Sequence, residues 1–384
     1  MPSTSHDGLV WLDTATTRES GRSLLAVEPE RILRGNIFHD AADLRDAIAQ
    51  GQQRGDSNSG GLFGWVGFGG DYTFGVYREH RVFTASSGKT IARSDLGSGI
   101  QFFPQTTKES YCAIARRAQE YIAAGDIYQV NLSYPWMGTW PTALDPLSFY
   151  ARLRDASPAP FAAFLDLDGT QVFSTSPECF LRITARHILT RPIKGTRPRG
   201  ATTQADQLLA EELTSSAKER AELVMITDLE RNDLGQVCEF GSVRATGLLE
   251  LERFAQVQHL VSTVEGRLLP EVDHVTAFLA CFPGGSISGA PKKRALEIIQ
   301  ELESHHRGLY TGAIGWFGFH GETQFSIAIR TAWRRGHSVQ FHTGAGIVAD
   351  SVPELEWEET QHKAAGILAA AMPTAPPTEP CALG

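Results

Sequence analysis

Apolar residues recur along this chain in two rhythms, which together lay out a strand-rich molecule with a smaller set of amphipathic helices. Alternation, the period of a half-buried strand, marks 127–134, 161–167, 171–176, 179–184 and 187–193. It returns at 242–264, 309–319, 324–334 and 338–343, and 23–33 is also strand-like. The stretch 60–77, GGLFGWVGFGGDYTFGVY, nearly alternates glycine with aromatic residues, as suits strands whose backbones pack closely. Helical spacing governs 40–51, ending at Gly51, and 144–155. Over 107–124 it sets Tyr111, Ile114, Ala115, Ala118, Tyr121 and Ile122 on one stripe, with Gly125 as the stop. The Ala-rich segment 201–229 predicts a helix running up to a strand at EFGSV, 239–243. Further helices are expected at 274–281, from Pro291 at a first helical position to about 303, and at 353–372. The Pro-rich tail, 372–384, is expected to be disordered.

Composition changes this picture little but excludes several classes of function. The 384 residues are 42% apolar and 21% charged, enough for a sizeable core. A net charge of −9 argues against a nucleic-acid binder, which needs a basic footprint. Cys112, Cys179, Cys238, Cys281 and Cys381 show no CxxC spacing, so neither a zinc site nor a disulfide framework is expected. Scattered reduced thiols fit a cytoplasmic protein. No apolar run of about 18 residues is present to span a membrane. The first residues lack the basic-then-apolar layout of a signal peptide.

Within this acidic chain, RPIKGTRPRG (191–200) is a local basic cluster that suits an anionic small substrate. Lys194 ends an apolar run, and a lysine amine becomes nucleophilic when burial or neighbouring cations favour its neutral form. A basic surface turn is the plain alternative. Glu219 and Glu222, and again Glu356 and Glu359, are three apart on expected helices and so share a face. Two such faces meeting would suit Mg2+, which takes few carboxylates and keeps waters. Solvated helix sides are the commoner outcome for such pairs. Lys363, four past Glu359, would join that face. PGGSISGAP (283–291) before a helix offers backbone N–H groups to an anion, or is a tight turn. Arg330, alone in an apolar strand, is either at a sheet edge or held inward by an acid. An inward guanidinium could clamp a carboxylate. Glu178 after Pro177 is an edge residue or a buried general acid. His259 in QHLVS fits a satisfied core histidine at least as well as a catalyst.

Taken in order, STSPE (174–178), PIKGTRPR (192–199), AKERAELVMITDLERNDLG (217–235), QHLVSTVEG (258–266), CFPGGSISGAPKKRALEII (281–299), RGLYTGAIG (307–315), FSIAIRT (325–331) and GAGIVADSVPELEWEETQHKA (344–364) carry a resemblance. Over roughly 105–368 the chain is similar to the chorismate-utilising enzymes, the family of anthranilate, aminodeoxychorismate, isochorismate and salicylate synthases. The resemblance implies an α+β fold, a layered sandwich of two antiparallel β-sheets packed face to face with helices outside. It divides the chain into a short, loosely similar N-terminal part of the sandwich (1–106), a chorismate-binding catalytic region (107–371) and the tail (372–384).

The resemblance also implies roles. Lysine at the third position of PIKGT resembles the aminodeoxychorismate synthase branch, which aminates chorismate at C4 for 4-aminobenzoate and folate synthesis. Anthranilate synthases, usually with alanine there, are the rival, and a non-catalytic chorismate binder is a more distant alternative. On this reading Lys194 attacks the ring, and Glu178 is the general acid. Glu222 and Glu359 hold Mg2+, with Glu219 and Glu356 around them. Tyr310, Arg330, Gly344, Ala345, Gly346 and Lys363 bind carboxylate, while Thr196 and His259 line the substrate. Gln129 stands where water-using members have a lysine base, which favours ammonia as the nucleophile. No glutaminase nucleophile motif is present in this sequence, so ammonia is expected from a glutamine amidotransferase partner subunit or from solution. Leu24-Leu25-Ala-Val-Glu28 does not reproduce the leucine-leucine-glutamate-serine signature of tryptophan-regulated members, and a regulatory pocket there is left open.

Overall fold

The computed structural model describes residues 6–13, 22–54, 59–84, 99–254 and 257–373. Among them are two large sheets, antiparallel throughout. The first runs Gly289–Ala290, Gln129–Thr139, Ser338–Ile347, Thr331–Arg335, Thr170–Ser176, Phe161–Leu167, Leu9–Asp13, Arg22–Ala26 and Arg81–Thr84, with Phe102–Pro104 also on Gln129–Thr139. The second runs Ile193–Pro198, Val257–Arg267, His187–Arg191, Cys179–Thr184, Glu322–Ile327, Ala313–Gly318, Gly61–Val66, Asp71–Tyr77 and Arg31–Asn36, with Arg244–Arg253 also on Val257–Arg267.

Strand alternation sorts side chains into layers. Val10, Phe63, Tyr77, Leu165 and Val172 form the core between the sheets. Leu62, Phe74 and Val76, on the other face of the second sheet, pack with Leu44 and Phe278 of the helices Ala41–Gln53 and His274–Cys281. Phe164 and Phe173, on the outer face of the first, join Tyr111, Phe149 and Ile367 of Lys108–Ala123, Pro146–Ala156 and Pro353–Ala371. The fold is the expected α+β sandwich with helices outside. Residues of the expected N-terminal part contribute strands to both sheets.

Several elements differ from the sequence reading. The stretch 23–33 is two strands, one in each sheet, parted by a turn with Glu28 at φ 56°. The segment 201–229 is two helices, Thr203–Ser215 and Ala217–Gly235. Ser216 is extended between them, and its hydroxyl accepts the Glu219 N–H at 3.4 Å, so a cap starts a second helix. EFGSV is a turn instead of a strand: the Ser242 N–H and Oγ both close on the Glu239 carbonyl, and Gly241 takes φ 76°. The span 242–264 is a hairpin, Arg244–Arg253 with Val257–Arg267. Pro291 caps the helix Lys292–Leu302 from just outside it. Of the tail, 374–384 lie outside the described residues, as does Cys381. Cys112, Cys179, Cys238 and Cys281 are buried and unbonded to one another.

The difference that matters most is at 324–334, expected as one strand. Glu322–Ile327 lies in the second sheet and Thr331–Arg335 in the first. Thr170–Ser176 and Cys179–Thr184 make the reverse crossing. The two crossings are tied together, the Thr175 N–H donating to the Arg330 carbonyl and the Ile327 N–H to the Glu178 carbonyl, each at 3.1 Å. Antiparallel neighbours thus change sheet side by side, which brings Glu178 and Arg330 to one place in the fold.

Candidate active site

Glu178 lies in one crossing and Arg330 in the other. Pro177 keeps the chain extended before the strand resumes, and Glu178 is left buried at 5% exposure. Burial pushes its carboxyl up to about 7, against the opposing pull of the Ser286 hydroxyl and the Lys194 ammonium. Ser286 Oγ donates to Glu178 Oε1 at 2.5 Å. The edge residue weighed above is thus a buried acid poised to hold a proton near neutrality.

Lys194 is delivered by the edge strand. His187–Arg191 and Ile193–Pro198 run in succession along Val257–Arg267, interrupted at Pro192, which has no N–H to pair. The register slips between Lys194 and Thr196, where Gly195 takes φ 68°. A Cβ there would come within 2.6 Å of Leu213 Cδ1, so the position needs glycine, and the bulge re-aims its neighbours. The Lys194 side chain is only 14% exposed. Its Nζ lies 3.8 Å from Glu222 Oε2 and donates to the Ser286 carbonyl at 3.5 Å. The basic surface turn is thereby excluded for this residue.

Glu222 faces it from Ala217–Gly235, its carboxyl raised by burial and drawn back down by Lys194 and Lys218. Lys218 reaches Glu356 Oε1 at 3.2 Å and Glu222 Oε1 at 4.0 Å, linking that helix to Pro353–Ala371. Burial opposes its charge, yet Glu356 and Glu222 hold the ammonium above its ordinary value. On the last helix, Lys363 Nζ meets Glu359 Oε1 at 2.7 Å and the Gly344 carbonyl at 2.9 Å. Lys363 holds the Glu359 carboxyl below the usual range. Their side chains remain 50% and 40% exposed, for Glu359 and Lys363 respectively, as the wall of an open cleft would be.

Further groups complete the wall. Thr196 and His259 sit opposite each other in register, and the hydroxyl and Nδ1 are 2.9 Å apart. Burial, helped by Arg330, pushes the imidazole down to about 4, so it is neutral at physiological pH. Arg330 takes φ 48° at the crossing, and among the described residues no acid pairs with it. It is neither at an edge nor held by a protein carboxylate. Gly344 and Gly346 share one face of Ser338–Ile347, while buried Ala345 turns its methyl to the other. A Cβ on Gly344 would lie 2.9 Å from the Tyr310 hydroxyl. One on Gly346 would lie 2.8 Å from Gln129 Nε2 and 3.6 Å from Lys194 Nζ. Gln129 is fully buried, and neither its Oε1 nor its Nε2 has a partner. A guanidinium beside His259 with no acid paired to it, and an unpartnered amide beside Gly346, suit a polar, anionic ligand.

The description "chorismate binding enzyme" matches residues 84–369. The chain belongs to this chorismate binding enzyme family. It is 45% identical over 258 residues to aminodeoxychorismate synthase component 1 of Bacillus subtilis, covering 67% of this chain and 54% of that one. To anthranilate synthase component 1 of Aquifex aeolicus it is 46% identical over 264 residues, covering 69% and 53%. The chain spans about half the length of these curated relatives. The crystal structure of anthranilate synthase component I from Streptococcus pneumoniae superposes with a TM-score of 0.78 at 30% identity, over 90% of this chain and 92% of that one.

Two of the expected acidic residues are already engaged by protein groups. Glu219 lies 3.7 Å from Arg197, and its charge also bears on Glu222. Glu356 is buried, accepting from Ser351 at 2.7 Å as well as from Lys218. Among the described residues no group of three or more His, Cys, Asp or Glu stands close enough to hold a metal. The glycine loop does not offer all its N–H groups to a ligand, because Gly285 already donates to the buried Glu230 carboxyl at 3.0 Å. Sequence reasoning missed Ser286 and Lys218. The i,i+4 spacing of Lys218 to Glu222 was a legible signal, whereas nothing in PGGSISGAP singles out its first serine. A separate cavity of about 410 Å³, lined by Asp13, Leu24, Arg182 and Trp316 among others, touches none of these residues. No described helix is long and apolar enough to cross a membrane.

Proposed function

We propose that the chain is an aminodeoxychorismate synthase component I, converting chorismate and ammonia to 4-amino-4-deoxychorismate and water. The observation that carries this reading is the Lys194 amine, sequestered 3.8 Å from Glu222 and within reach of the loop that supports Glu178. The Lys194 amine bonds to ring C2 as the C4–O bond breaks, and the oxygen leaves as water with the proton of Glu178. Ammonia then bonds to C4, the C2–N bond breaks, and its electrons return to Lys194. The ammonium formed at C4 gives a proton back to Glu178. Two easier displacements replace one hard one. Ammonia is supplied by a glutamine amidotransferase subunit.

The donor set of the cleft fits Mg2+, which commonly takes one or two protein carboxylates and otherwise water and substrate oxygens. Glu222 and Glu359 are the two carboxylates, both within the influence of Lys194 and Lys218, and they would hold the ion. When bound, it would neutralise a substrate carboxylate and so lower the cost of bringing an anion between two acids. Arg330, Lys363 and the Gly344–Gly346 backbone orient the substrate acids. His259, neutral and hydrogen-bonded to Thr196, lines the pocket without adding charge.

A second reading, 2-amination to anthranilate with loss of pyruvate, is favoured by the equal likeness to the Aquifex aeolicus enzyme. Mass analysis of the product of chorismate, ammonium and Mg2+ tests both. Retention of the enolpyruvyl group supports the proposal, and fluorescent anthranilate with pyruvate supports the rival. Unchanged chorismate absorbance would leave a binding protein.

A further inference from the structure

The segment Gly284–Ser288 lies against Glu178 and Lys194 and is held from both ends. The Gly285 N–H donates to Glu230 at 3.0 Å, and Arg307 Nη1 donates to the Ile287 carbonyl at 3.2 Å. Arg307 is itself fixed by Glu303, at 2.9 and 2.7 Å, and by the Asn131 carbonyl at 2.6 Å. Ser288 Oγ closes back onto the Gly284 carbonyl at 2.8 Å. There is little room to shift: a Cβ on Gly285 would come within 2.7 Å of Leu229, and one on Gly289 within 2.2 Å of the Gln129 carbonyl. Between the two clamps stands Ser286, 6% exposed. Its hydroxyl donates to Glu178 and its carbonyl accepts from Lys194. One residue therefore touches both groups that the proposed chemistry uses.

We propose that Ser286 is a positioning residue: pinned through Glu230 and Arg307, its hydroxyl holds the Glu178 carboxyl in one orientation and supports its charged form once the proton has left, while its carbonyl aims the Lys194 amine. This rests on the roles given to Glu178 and Lys194 above. A hydroxyl donates more strongly to a carboxylate than to a neutral acid, so the bond strengthens as Glu178 gives up its proton. The other groups facing Glu178 are Lys194 and the Ile193 N–H on the lysine strand, Lys363 on the last helix, and Glu230 behind the loop. Lys194, Lys363 and the Ile193 N–H also favour the carboxylate, whereas Glu230 opposes it when charged.

Ser286→Ala deletes the donor, and Ser286→Thr keeps it. The probe is the infrared band of the protonated Glu178 carboxyl, assigned by its loss in Glu178→Gln and followed against pH. The expected result is a midpoint about one pH unit higher in Ser286→Ala and unmoved in Ser286→Thr. In chorismate turnover, Ser286→Ala should lower kcat about tenfold or more with KM within about twofold. A band that titrates alike in Ser286→Ala and wild type, or moves as far in Thr as in Ala, overturns the role of Ser286. If the band shifts but the wild type consumes no chorismate, the proposed function falls and the hold of Ser286 on Glu178 is upheld.

Discussion

The Lys194 amine stands 3.8 Å from the Glu222 carboxylate, across the gap between an edge strand and the helix Ala217–Gly235. That distance suits an ion pair that can be given up, since neither group is closed into a short bond with the other. Substituting the lysine should remove the nucleophile while leaving the strand in place, because Gly195 sets the bulge. Lys194→Ala is expected to lose about 10³-fold or more in 4-amination. Intact-mass analysis under turnover should show a substrate adduct on the wild type and none on the variant. A variant that aminates C4 at the wild-type rate would remove the covalent step.

As the proposed acid, Glu178 should set the pH dependence. Its carboxyl, pushed up to about 7 by burial, holds the proton below that pH and loses it above. A general acid must be protonated to act, so the rate should fall as pH rises through about 7. Glu178→Gln should cost about 10²- to 10⁴-fold and abolish that alkaline limb. A limb that persists unchanged in Glu178→Gln, read from its residual turnover, would assign the titration to another group.

The carboxylates differ in what they hold, which separates their roles. Glu222 and Glu359 face lysines, whereas Glu219 faces Arg197. Glu359→Gln and Glu222→Gln should each raise the Mg2+ needed for half-maximal turnover by about tenfold or more. Glu219→Gln, losing an ion pair of modest worth, should stay within about twofold. Chelation should stop turnover in the wild type, and added Mg2+ should restore it. Equal responses from all three variants would argue against a metal held by Glu222 and Glu359.

Much of this arrangement was legible in the residues, and what was not has a physical reason. Alternation located the strands because each buries one face, and Gly125 marked the end of a helix because it can take the left-handed turn that closes one. Periodicity is blind to which sheet a strand joins. FSIAIRT therefore looked continuous, although the chain changes sheet at Ala328–Arg330 and leaves Arg330 in a left-handed conformation. Lys194, Glu178 and the glutamates stood out by type and by motif. Ser286 and Glu230 did not, because their importance lies in hydrogen bonds across 108 and 55 residues of chain. Only the fold brings those partners together.

Glu230 carries the last prediction, and it concerns stability. Its carboxyl is 2% exposed, with Oε1 accepting from Gly285 and Oε2 without a partner. Lys292 is the nearest counter-charge, but it is already engaged by Asp233 at 2.5 Å. Burial pushes Glu230 from its ordinary 4.5 up to about 8. Between those values the folded chain keeps a proton that the unfolded chain releases. Stability from this group is therefore full below about 4.5 and is lost as pH climbs toward 8. Glu230→Gln keeps an acceptor for Gly285 and is neutral at every pH, so it escapes that loss. Measured by urea unfolding, its stability relative to wild type should rise by up to about 1.4 kcal/mol per pH unit across the window. Parallel pH profiles for the two proteins would mean that Glu230 is already charged in the folded state, and that a charge beneath the cleft is balanced by Lys292 despite its bond to Asp233.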